Sequence, residues 1–207
     1  ALEATEDRDP SKVATFFSSH PSLSDRSARV AAEVKKLTVN VTPVVGGFAK
    51  RLGLADFSPD GKYIAHVKSD AGKQTLLVRQ ASANNDIVAV PEGPAEYWGI
   101  TFTPDSNDLF YITREQNQAS VLYRIPALGG TPQKLMERLD SAVSFSPDGK
   151  QVAFVRGEFP EKNESVLMVA NSDGTGERVL ASRKLPERFY PIYFTGPSWS
   201  PDGKTIA

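Results

Sequence analysis

The chain has 207 residues, 40% of them hydrophobic and 24% charged, with a formal net charge of −1. That balance is ordinary for a folded protein and supplies no electrostatic pull toward nucleic acid or an anionic membrane. The absence of cysteine excludes disulfides, thiol catalysis and cysteine metal sites but leaves the compartment open, and no apolar run approaches the roughly 20 residues of a membrane helix. The first residues, Ala1-Leu-Glu-Ala-Thr-Glu-Asp7, show neither an initiator methionine nor a signal-peptide pattern, so both ends are expected to be cuts in a longer chain.

Residues 1–38 carry a helical period. Ser11 to Ser19 predicts a short helix with Val13, Phe16 and Phe17 on its apolar side, and Pro21 ends it. Ser22-Leu-Ser-Asp25 then reads as a capping box opening a second helix through Leu37, with Val30, Val34 and Leu37 on one face. Residues 39–54, which contain Pro43 and Gly46-Gly47, read as an extended linker. The run from Asp9 to Arg26, with Ser18-Ser-His-Pro21 at its centre, resembles the C-terminal tail of HtpX-like zinc metallopeptidases, the group that includes the CAAX prenyl proteases. The resemblance implies catalytic, charge-stabilising roles for His20 and Arg26 beside a zinc held by an upstream domain. As a plain sequence feature, His20 also suits a structural helix end before proline. The chain has no H-E-x-x-H, and His66 is its only other histidine. No metal site or cofactor is therefore expected in this chain, and zinc would belong to the parent protein.

From residue 55 onward the sequence repeats. Phe57-Ser-Pro-Asp-Gly-Lys-Tyr-Ile-Ala65 is matched by segments at Phe102–Phe110, Phe145–Ala153 and Trp199–Ala207. The prolines, Pro59, Pro104, Pro147 and Pro201, stand 45, 43 and 54 residues apart, and the first two spacings match the period of about 40–45 residues of a four-stranded propeller blade. Proline presets φ at the second turn position, and Gly61, Gly149 and Gly203 supply a left-handed residue. The second copy has Ser106-Asn107 there, with Asn107 the expected positive-φ residue. An apolar stretch precedes each turn, such as Tyr97 to Phe102, and a β-rich strand follows it. Third strands read around Thr75–Arg79, Ser120–Ile125 and Ser165–Val169, and fourth strands around Ile87–Val90, Gln133–Met136 and Arg178–Leu180. The fold class is thus mainly β over 55–207: three four-stranded blades plus the start of a fourth, an open arc with exposed edges. The missing blades are expected from the rest of the parent chain.

The recurring F-S-P-D-G-K-x-[IV]-A motif, with the Asn171-Ser-Asp-Gly-Thr-Gly176 turn, resembles the TolB-type, WD-repeat-like β-propeller over residues 53–207. That resemblance implies a non-catalytic binding module from a larger bacterial protein, periplasmic or membrane-associated. Other phrases, among them Gly129-Gly-Thr-Pro132 and Phe154-Val-Arg-Gly157, resemble propellers appended to bacterial serine/threonine kinases and transcriptional sensors. Three parents stay open: a propeller interaction protein, a metallopeptidase fused to a propeller, and a sensor propeller.

The repeated Asp60, Asp105, Asp148 and Asp202 read as turn stabilisers, since aspartate bonds local backbone groups in such turns. His66 reads as a strand residue at a blade surface. The lengthened last repeat, 182–198, interleaves Arg183 and Arg188 with Phe189, Tyr190 and Tyr193, and Tyr97 and Trp98 hold the equivalent inter-blade position one repeat earlier. Aromatic rings beside arginines suit a hot spot for a protein or small ligand on the loop face, while packing between blades is the competing reading.

Overall fold

The computed structural model describes residues 54–83, 85–189 and 196–207. The chain divides into Ala1–Val45 and Gly46–Ala207, and every described residue belongs to the second unit. The helices read over 1–38, together with His20 and Arg26, lie outside the described residues, as do Tyr190 and Tyr193.

The strands form three antiparallel sheets, each meandering in chain order. The first blade holds β1 (Ala55–Phe57), β2 (Tyr63–Asp70), β3 (Lys73–Gln80) and β4 (Asp86–Gly93). The second holds β5 (Glu96–Phe102), β6 (Asp108–Arg114), β7 (Val121–Pro126) and β8 (Gln133–Glu137). The third holds β9 (Ser144–Phe145), β10 (Gln151–Gly157), β11 (Glu164–Asn171) and β12 (Arg178–Lys184). Residues 196–207 begin the next repeat, where Trp199 pairs antiparallel with Ile206. This is the mainly β, partial-propeller architecture that the repeat implied.

Alternation along each second strand explains why the blades stack. Side chains of a strand point to opposite faces in turn, so a strand between two neighbours must be apolar on both. On β6, Leu109 and Tyr111 join Val67, Leu76 and Val78 in the core between the first two blades. Phe110 and Ile112 point the other way, into the core with Val152, Phe154, Val166 and Met168 of the third. Tyr111 stacks on Tyr123 at 5.3 Å, and Phe110 meets Phe145 edge-on at 4.8 Å. Backbone groups are also tied across the seams. Phe102 N–H donates to Asp56 Oδ2 at 2.9 Å, and Tyr97 N–H to Gln74 Oε1 at 2.7 Å.

The four repeated turns are built alike and stack on one another. In the first, Ser58 Oγ donates to Asp60 Oδ1 at 2.7 Å, and Lys62 N–H donates to the same oxygen at 3.0 Å. Asp105, Asp148 and Asp202 repeat the pattern with Thr103, Ser146 and Ser200. Gly149 and Gly203 have φ of 70° and 71°, and a Cβ on either would touch the proline of the preceding turn at 3.5–3.6 Å. In the second blade the left-handed residue is Ser106 (φ 63°), not Asn107. Position within the turn sets the conformation, and Ser106 gains a compensating bond, its buried Oγ accepting from Asp60 N–H of the first blade at 3.1 Å.

His66 also differs from its expected surface place. It is 5% exposed, on the first blade's far side from the second, and its Nε2 lies 3.2 Å from Asp86 Oδ1. Arg79 grips the same carboxylate through two bonds of 2.8 and 2.9 Å, which holds Asp86 below the usual carboxylate range.

Candidate functional site

Antiparallel meandering sends successive connections to opposite ends of each blade, which creates two distinct faces. The turn face carries the β1–β2, β5–β6 and β9–β10 turns and the third-to-fourth strand turns. The link face carries the second-to-third strand turns and the segments joining one blade to the next.

On the turn face the charges are used locally. A depression of about 260 Å³ is lined by Asp105, Asp108, Arg124 and Asp148. Asp108 is paired with Arg124 at 2.6 Å, and both other carboxylates accept from their own turns. The Ser58 hydroxyl first, then Lys62 N–H and the Lys62 ammonium, lower the Asp60 pKa to about 2. Asp105, Asp148 and Asp202 are lowered chiefly by their own hydroxyl partners. The aspartates therefore act as turn braces.

The link face is organised differently, around arginines seated on rings. Arg114, ending β6, lies 4.7 Å from the ring centre of half-buried Trp98 on β5. Arg156, on β10, lies 5.3 Å from Phe159 and 5.4 Å from Phe154. Arg183 lies 5.7 Å from Phe189. A guanidinium over an aromatic face is held by the ring quadrupole while its N–H edges still point outward.

Arg156 is the anchor of this surface. Only 8% exposed, it donates through Nε to Arg138 O at 2.8 Å and through Nη2 to Glu137 O at 3.0 Å, and it pairs with Glu177 at 3.0 Å. These bonds secure the link leaving β8, where Arg138 sits at φ 61°, a conformation unusual for a side chain of that size. The Ser120 hydroxyl, which accepts from Leu139 N–H at 2.8 Å, fixes the next residue. Arg188 bonds Glu158 Oε1 at 2.9 Å, tying the segment after β12 to the turn before β11.

The residues singled out from sequence divide on this geometry. Tyr97 is buried between the first two blades, 5.6 Å from Tyr111, and burial pushes its hydroxyl pKa well up. It packs between the blades and also lines a depression with Gln74, Glu96 and Trp98. Trp98 faces the link side through Arg114. Arg183 belongs to β12, opposite Ser165, so the lengthened segment starts later than expected. Arg114, Arg138, Arg156 and Phe159 were not singled out. The available signal was a cation near the end of every second strand, at Lys68, Arg114 and Arg156. Among the described residues no group of three or more His, Asp or Glu side chains gathers as a metal site would require. Among the described residues no helix is long and apolar enough to cross a membrane.

No family model and no curated protein matches the chain. Solved structures do. The chain is similar to an oligogalacturonate lyase in complex with manganese, with a TM-score of 0.58 and 15% identity over 75% of this chain and 44% of that one. It is also similar to TolB from Acinetobacter baumannii, with a TM-score of 0.51 and 19% identity over 65% of this chain and 32% of that one. At such identities the likeness concerns the fold, and the chain spans less than half of either protein. The described region is a β-propeller module with a TolB-like fold.

Proposed function

We propose that this propeller region is a non-catalytic binding module that engages a protein partner through its link face. The observation that carries the reading is the series of three arginine–aromatic pairs, Arg114–Trp98, Arg156–Phe159 and Arg183–Phe189, on one face of two consecutive blades. Arginine and tryptophan are the residue types that dominate binding energy at interfaces. Among the described residues the turn face shows no arginine over a ring, and its aspartates are held by their own turns or, for Asp108, by Arg124. The TolB-like fold supports the reading, since the propeller scaffold holds such side chains on rigid strands.

The test is cross-linking of the purified chain in extract from its source, comparing wild type with the Arg114→Glu/Arg183→Glu double variant. Loss of the cross-linked partner, with unchanged β-sheet circular dichroism, is the expected result. A partner retained in full and mapped to the turn face would refute the assignment.

A further inference from the structure

The second and third blades leave a depression of about 220 Å³ on the link face, lined by Arg114, Ser120, Arg138, Asp140, Arg156 and Phe159 among others. We propose that it receives a carboxylate side chain of an acidic peptide segment, with Arg138 and Arg114 as the recognising groups. The inference rests on the link-face reading above and names the chemistry of the partner.

Charge sets the class of ligand. Two of the ions at the site are already matched: Arg156 by Glu177 at 3.0 Å and Glu158 by Arg188 at 2.9 Å. Asp140 uses Oδ2 to accept from Gly157 N–H at 2.8 Å and adds one carboxylate to the lining beside Arg114 and Arg138. Two cations against one anion leave a surplus of one positive charge. That surplus suits a singly charged carboxylate better than a doubly charged phosphate group, which would meet the Asp140 carboxylate uncompensated.

Geometry sets the shape. Arg114 is exposed, lies over Trp98 and is fixed by its Nε bond to Gln118 O at 3.1 Å, and its terminal nitrogens donate to no partner among the described residues. The Arg138 guanidinium makes no hydrogen bond or ion pair among the described residues, although its backbone is held in a strained conformation by Arg156 and by its own N–H bond to Ser120 O at 2.9 Å. An exposed cation maintained on a left-handed backbone, where glycine would be easier, marks a position kept for its side chain. The volume is below the roughly 300 Å³ at which small-molecule pockets begin. It accommodates one side chain delivered by a peptide lying across the face, with Phe159 as an apolar wall for the methylene groups. Arginine presents paired N–H donors in the spacing of a carboxylate's two oxygens.

Fluorescence anisotropy on the full chain tests this with a labelled oligo-glutamate peptide, the equivalent oligo-glutamine peptide, and inorganic phosphate as competitor. The glutamate peptide should bind, and added salt should weaken it. Arg138→Gln and Arg114→Gln should each lower affinity by about tenfold without changing the circular dichroism spectrum. The glutamine peptide should fail to bind, and phosphate at the peptide's concentration should not displace it. Absence of binding to the wild type, equal binding of the glutamine peptide, indifference to both variants, or efficient displacement by phosphate would each overturn the proposal. If the peptide does not bind while Arg114→Glu/Arg183→Glu still loses its cross-linked partner, the acidic ligand falls and the link-face reading stands.

Discussion

The two faces of these blades carry charged residues in opposite ways. On the turn face, each repeated aspartate folds back onto a hydroxyl and an N–H within its own turn, as Asp148 does onto Ser146 and Lys150. On the link face, arginines sit over rings or clamp backbone carbonyls, and Arg138 has no such partner among the described residues. The turn carboxylates, on short stems, are taken up by groups of their own turns, whereas a guanidinium on a long stem can brace the backbone and still present donors. The difference separates a face that stabilises the repeat from a face able to recognise something else.

The largest test of that division lies at the turn face. Gly174, at φ 86°, stands where an added Cβ would lie 2.7 Å from Leu135 O of the second blade. Gly174→Ala should destabilise by about 3 kcal/mol in urea unfolding, and it should leave peptide binding by the folded protein unchanged. On the link face, Arg156→Met removes the donors to Glu137 O, Arg138 O and Glu177. We expect a loss of about 2 kcal/mol together with weaker peptide binding, because the Arg138 backbone is released. Arg138→Gly should instead raise stability by up to about 1 kcal/mol in thermal unfolding while lowering affinity, since glycine relieves the positive φ. An increase in both would remove Arg138 from the site.

The smallest effects concern pH and separate two aspartates one turn apart. Asp60 has its pKa lowered from 3.8 to about 2, so its contribution is complete above 3.8 and is lost as pH falls toward 2. Asp56 behaves in reverse. Burial, outweighing its bond from Phe102 N–H, raises its pKa, so its charged form weakens the fold at neutral pH and acidification relieves this. Asp60→Asn should therefore lower the melting temperature slightly at pH 7 and flatten the acid transition. Asp56→Asn, which keeps an acceptor for Phe102 N–H, should raise it. Equal and same-signed shifts would contradict the assignment of local bracing to one and cross-blade burial to the other.

The blades themselves were legible before any coordinate. Proline, aspartate and glycine in fixed order specify a tight turn through local φ preferences and short side-chain bonds, and Leu109-Phe-Tyr-Ile112 specifies a strand covered on both sides. Such effects act within a few residues, so they appear in the sequence itself. Which member of the second turn is left-handed was less legible, because Ser106 rather than Asn107 gains a bond from the neighbouring blade. The pairing of His66 with Asp86 and the packing of Tyr97 on Tyr111 depended likewise on partners farther along the chain. The link-face site was the least legible of all. Arg114, Arg138 and Arg156 are ordinary cations in sequence, separated by strands and turns. Only stacking of the second blade on the third brings them to one depression, and bonds from Arg156 and to Ser120 O hold the Arg138 backbone in its left-handed form. Local turn chemistry determined the repeat; contacts between blades decided which of its charges remain available for binding.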